Sequence, residues 1–227
     1  MGTLDHWAAG QRDLSALGRT LTDGEAELVV PACPDWTVRE VFAHQAGVAS
    51  DILGGRLEGV ATDPWTQRQV EERAERTLSQ ILDEWEADAP RLIEAMTPLG
   101  DAIDPRMFMD LWTHDQDVRG AVRRPGGRDG DAAVWVAERL RQNAHEQFER
   151  SGLAPIGIDL GDGPTDSAEH GAVRVDRFEF IRASVGRRSP DQVRAWAWSV
   201  ADPEPYVCLV PVFNPRDTEL LEPATPT

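Results

Sequence analysis

Residues Met107 to Arg119 read MFMDLWTHDQDVR, which predicts a helix with Asp110 and His114 four residues apart. At about 3.6 residues per turn, that spacing stacks the two side chains on one face, one turn apart. Stepping about 100° per residue, Asp110, Leu111, His114 and Val118 fall within roughly 100° of one another. The carboxylate and the imidazole therefore lie inside the apolar stripe. Polar groups turned toward a core need partners, because burying them unpaired costs about 2–7 kcal/mol. The two either bond each other or hold a metal ion.

A second imidazole points the same way. Thr37-Val38-Arg39-Glu40 is a capping box, a Thr N-cap with Glu three residues on. Trp36 and Val41 occupy the staple positions around it. The helix it opens runs to Leu53 and stops at Gly54-Gly55. Its inward face is Val41, Val48 and Ile52, and His44 lies between the first two. His44, Asp110 and His114 thus make a three-ligand set of N, N and O type on facing helices, where bundles build metal sites. Three ligands leave one tetrahedral position open for water or substrate, the pattern of catalytic zinc. From spacing alone, a buried Asp–His hydrogen bond beside a half-exposed His44 is the other reading.

The flanking sequence predicts more helix. Leu4, Trp7, Leu14, Leu17 and Leu21 give an amphipathic helix over roughly residues 4 to 22. A third helix starts near Thr66 with Val70, Leu78, Ile81 and Trp85 at helical spacing, and Pro90 breaks or kinks it. Asp104 as N-cap and Pro105 at the first helical position open the helix of Asp110. A fifth helix, from about Asp131 to Arg150, carries Ala133, Ala137, Leu140, Ala144 and Phe148 on one face, with His145 off the stripe. After Gly152 the texture changes. Ile156, Ile158 and Leu160 alternate as in a strand, Asp162-Gly163-Pro164 is a turn, and Val173 and Val175 suggest a further strand. Asp176 caps a helix that stops at Gly186, and Ser189-Pro190 starts a short one. Tyr206 to Val212 reads as a strand with Pro211 at its edge or end, and the tail from Glu222 is expected to fray. The expected architecture is mainly α, a helical bundle over residues 1–152 with a small α/β domain over 153–227.

Composition narrows the partners. The net charge of −17 argues against nucleic acid or anionic lipid. No apolar run approaches the ~20 residues of a membrane span. The N-terminus shows no signal-peptide pattern. Cys33 and Cys208 are too few for a disulfide framework, so a reduced, cytoplasmic protein is expected. All 23 basic residues are Arg, the usage of a GC-rich bacterial genome.

Three segments together resemble a known family. PACPDWTVREVFAHQAG, DLWTHDQDVRGAVRRPGG and FEFIRASVGRRSPDQVRAWAW are similar to signatures of the mycothiol-dependent maleylpyruvate isomerase family, a branch of the DinB-like metal-binding bundles. The resemblance implies a DinB-like up-and-down four-helix bundle with a small C-terminal α/β domain. It implies a divalent ion, usually zinc, on His44, Asp110 and His114, and a low-molecular-weight thiol such as mycothiol as cosubstrate. Asp110 stands where the isomerase proper uses Glu, and the C-terminal part is short and divergent, so the isomerase's own substrate does not carry over.

The chemistry expected is that of a zinc-dependent thiol transferase or isomerase. An open position on zinc would acidify a thiol, and the thiolate would attack a small electrophile. Arg187 and Arg188 are candidates for binding a substrate carboxylate. Asp117, three residues past His114, is expected to orient that imidazole or to pair with Arg119. Cys33 is expected to be structural. Two alternatives are a non-catalytic metal-binding bundle that binds a small molecule or protein partner, and a metal-dependent hydrolase.

Overall fold

The computed structural model describes residues 1–161, 169–211 and 213–224. It divides into two units, Met1–Pro125 with Pro223–Thr227, and Gly126–Glu222.

The first unit runs α1 (Thr3–Gly18), α2 (Asp23–Ala26), α3 (Val38–Gly54), α4 (Asp63–Glu71), α5 (Leu78–Met96), a 3-10 segment (Thr97–Ala102) and α6 (Arg106–Ala121). The four long helices form the bundle, with α1 and α3 each packed against both α5 and α6. The predicted caps are present. Thr37 Oγ1 accepts from the Glu40 N–H at 3.3 Å, and Glu40 Oε2 accepts from the Thr37 N–H at 2.7 Å. Gly55 ends α3 in the left-handed region, at φ 67°.

Three helix boundaries differ from expectation. The first helix ends at Gly18, because Thr22 opens α2 with its own capping box. The predicted third helix is two, α4 and α5. Thr77 caps α5, and the buried Arg73 donates to the Gln69 carbonyl at 3.0 Å and to Glu84 at 2.9 and 2.6 Å, holding the chain out of helix between them. Pro90 does not end α5. It sits on the exposed face, where water can serve the carbonyl it leaves unbonded. Burial of Ile81, Leu82 and Leu92, at about 1.5–3 kcal/mol each, outweighs the ~3 kcal/mol of an interior proline.

The second unit holds α7 (Asp131–Arg150), β1 (Gly157–Asp159), β2 (Ala172–Arg174), α8 (Arg177–Ser184), α9 (Pro190–Arg194), β3 (Ala197–Trp198) and α10 (Glu204–Val207). The sheet order is β1-β2-β3, parallel between β1 and β2 with Ile158 opposite Val173, and antiparallel between β2 and β3 with Val173 opposite Trp198. Asp176 Oδ1 accepts from the Glu179 N–H at 3.2 Å, the predicted cap of α8. A division after Gly152 is not where the contacts divide the chain. The apolar face of α7 buries within the second unit, against α8 and through Phe148, whose ring meets Tyr206 edge-on at 5.0 Å.

The predicted strand from Tyr206 is corrected as well. Pro203 and Pro205 favour a helix start, and Tyr206, Val207 and Val210 are buried at helical rather than alternating spacing. Its end, Val212, and the turn Asp162-Gly163-Pro164 lie outside the described residues. Glu222 does not fray. It is 4% exposed at its side chain and bonds Arg182 at 2.8 Å and Arg188 at 2.9 Å.

Candidate metal centre

α3 and α6 pack against each other in the first unit, and both turn polar side chains into their seam. Helical spacing brings His44 and Gln45 from α3, and Asp110, His114 and Asp117 from α6. His44 Nε2 lies 3.3 Å from Asp110 Oδ2, and His114 Nε2 lies 3.5 Å from Asp110 Oδ1. The imidazole side chains are 4% and 9% exposed, while Asp110 is 39% exposed. His44 is therefore fully buried, against the half-exposed alternative. The rings stand edge-to-face at 5.0 Å, with Trp36 5.3 Å from His44 and 5.8 Å from His114.

Each imidazole has an oxygen-bearing side chain behind it. Nδ1 of His114 lies 3.2 Å from Asp117 Oδ2, whose side chain is wholly buried. Arg119, the other partner considered for Asp117, pairs with Asp115 at 2.8 Å. Nδ1 of His44 lies 2.8 Å from Gln69 Oε1. Gln45 Nε2 donates to Asp110 Oδ2 at 2.7 Å. Burial opposes ionisation of Asp110, but the neighbouring imidazoles of His44 and His114 and the bond from Gln45 prevail, and its carboxyl is held well below the usual carboxylate range.

These residues fit a divalent ion. With Nδ1 of His44 turned to the Gln69 oxygen and Nδ1 of His114 3.2 Å from the Asp117 carboxylate, both Nε2 atoms are directed at Asp110. His44 Nε2 is buried without a hydrogen-bond partner among the described residues. Acceptors facing one another are stabilised by a shared cation. Two ligands each ~2.1 Å from a tetrahedral zinc stand about 3.4 Å apart, close to the 3.3 and 3.5 Å separations here. The ligand atoms of His44, Asp110 and His114 all lie within 4.8 Å of one another. Cys33, His114 and Asp117 also converge within that reach. Asp117 and Cys33, 4.0 Å apart, stand on the Nδ1 side of His114, behind the first set.

The sequence over residues 7–119 of 227 matches the family described as Mycothiol maleylpyruvate isomerase N-terminal domain. Over those residues the chain is similar to that domain. A solved structure, the crystal structure of the mycothiol-dependent maleylpyruvate isomerase, has the same fold at a TM-score of 0.56 and 14% identity, covering 87% of this chain and 91% of that one. No curated protein matches the sequence. The family match includes all three proposed ligands. Among the described residues, no helix is long and apolar enough to cross a membrane.

The two arginines of the second unit differ. Arg188 is buried and bonded to Glu179 at 2.6 and 2.7 Å and to Glu222, so its guanidinium is already used. Arg187 is less buried and donates to the Val185 carbonyl at 2.9 Å. Sequence reasoning missed Gln45, Gln69 and Asp51. Gln45 follows a candidate ligand on the same helix and was within reach of a closer reading. Gln69 lies on a helix whose packing no local pattern announces.

Proposed function

We propose that the protein is a zinc-dependent cytoplasmic enzyme that uses mycothiol, or a similar low-molecular-weight thiol, to isomerise or conjugate a small electrophile. The observation behind this reading is the convergence of both Nε2 atoms on Asp110, with Nδ1 of His44 turned to the Gln69 oxygen. His44, Asp110 and His114 would hold the ion. When bound, zinc supplies Lewis acidity that lowers the pKa of a thiol at its open position. Gln45 keeps Asp110 turned toward the imidazoles. Asp117, with Oδ2 3.2 Å from His114 Nδ1, stands behind that ring as the side chain that would orient it. Trp36 lines the two imidazoles with an apolar surface. The partly exposed side chain of Asp110 marks the side open to a small molecule. Arg187 is the proposed carboxylate-binding side chain, and Arg188 is withdrawn from that role.

The test is turnover of conjugated alkenes and alkyl halides by zinc-loaded protein, with and without mycothiol. Thiol-dependent loss of electrophile is expected. Turnover independent of thiol would move the reading to a hydrolase, and no turnover at full zinc occupancy would overturn it.

A further inference from the structure

We propose that Gln69, seated on Gly47 and aimed by Asp51, is a positioning residue that sets the tautomer of His44. This deepens the proposed metal site and rests on that reading.

The chain of contacts starts at Asp51. Its side chain has no exposed surface and accepts from Arg56 Nε at 2.6 Å, Arg68 Nη2 at 2.9 Å and Gln69 Nε2 at 2.7 Å. An ionised carboxylate only accepts hydrogen bonds, so the Gln69 group facing it is the amide nitrogen. The amide oxygen is then the atom 2.8 Å from His44 Nδ1. An oxygen there requires a proton on Nδ1, which leaves the Nε2 lone pair for a cation. Reversing the amide would set its oxygen against Asp51 and its N–H₂ against Nδ1, moving the ring proton to the ligand nitrogen.

The backbone makes room for this contact. His44, Gly47 and Asp51 fall on one face of α3 at spacings of three and four residues. Gln69, on α4 and wholly buried, lies across Gly47. A Cβ at Gly47 would stand 2.6 Å from Gln69 Cγ and closer still to its Cβ. Gly47 is helical, so its role is close approach rather than backbone freedom. Arg68, next to Gln69 on α4, reaches the same carboxylate and ties that helix down at the point where Gln69 must sit.

The test combines zinc affinity, by competition with a chromophoric chelator, with nitrogen NMR of the His44 ring. Gln69→Leu should weaken zinc about 10–100-fold, the range for loss of a partner behind a ligand imidazole. It should also abolish the slowly exchanging His44 Nδ1–H. Gly47→Ala keeps every polar group but displaces Gln69, and should weaken zinc like Gln69→Leu. Zinc affinity and a His44 ring signal unchanged in Gln69→Leu would overturn the proposal. Should that variant fail to fold, wild-type affinity in Gly47→Ala would overturn it. Metal-free protein at about pH 9, where imidazole is neutral, separates the two readings. If wild type binds no zinc but holds His44 protonated on Nδ1, and Gln69→Leu does not, the positioning role stands and the metal site falls.

Discussion

His44 Nε2 faces Asp110 Oδ2 at 3.3 Å, a nitrogen of α3 against a carboxylate of α6. Neither residue has a complete partner within its own helix. The pair makes sense as two corners of a cation site whose third corner is His114.

Purified protein should therefore contain about one zinc per chain. The double variant His44→Ala, His114→Ala should contain almost none by elemental analysis. Asp117→Asn keeps an acceptor but loses its charge, and should weaken zinc by about 10–100-fold without changing helicity. Unchanged zinc content in the double variant would remove the site.

Thiol chemistry has a spectroscopic test. Adding mycothiol to cobalt-substituted protein should bring up a sulfur-to-cobalt charge-transfer band in the near ultraviolet. Arg187→Ala should leave that band intact and lower turnover of carboxylate-bearing electrophiles. An unaltered cobalt spectrum at saturating thiol would rule the thiol out.

Asp51 links the site to stability. Burial pushes its pKa up, but bonds from Gln69, Arg56 and Arg68 prevail, and the carboxyl is held below its usual range. A depressed folded pKa contributes stability that is fully present above the unfolded value of about 3.9 and is lost as pH falls through the folded value. Asp51→Asn should be destabilised by about 1.5–3 kcal/mol near neutral pH. The deficit should shrink in denaturation midpoints measured below about pH 3. A constant deficit across that range would mean the charge of Asp51 is not what stabilises.

In the second unit, Glu222 and Arg128 should respond in opposite ways. Glu222 serves both Arg182 and Arg188, so Glu222→Gln weakens two buried pairs and should cost about 3–5 kcal/mol. Arg128 is 9% exposed, its guanidinium lies 3.8 Å from the Phe178 ring centroid, and its Nε and Nη2 have no hydrogen-bond partner among the described residues. Burial pushes its pKa down. Arg128→Met gives up a cation–π contact of about 0.5–2 kcal/mol and relieves a buried charge with unmet donors. Thermal unfolding should show it as stable as wild type or more so.

A fragment of residues 1–125 should keep helical circular dichroism and bind zinc, because all three proposed ligands and their supports lie in the first unit. A fragment unfolded under all conditions would show that the bundle does not close its core alone.

Local chemistry determined much of this protein. The Thr37 box, the Gly55 stop and the Asp176 cap are satisfied by residues within a few positions, so they read directly from sequence. The inward turn of His44, Asp110 and His114 follows from helical periodicity alone. Tertiary structure decided what periodicity does not encode. The texture change after Gly152 is real, yet α7 buries its apolar face in the second unit, because a helix goes where its stripe is covered. The run from Tyr206 to Leu209 is as apolar as a strand, but flanking prolines and helical burial made it a turn of helix. Glu222 looked like loose tail until two buried guanidinium groups claimed it. Gln69 bridges Asp51 to His44 only because α4 folds back over Gly47. Two helices separated by a loop carry no shared period, so that contact exists only once the chain has packed.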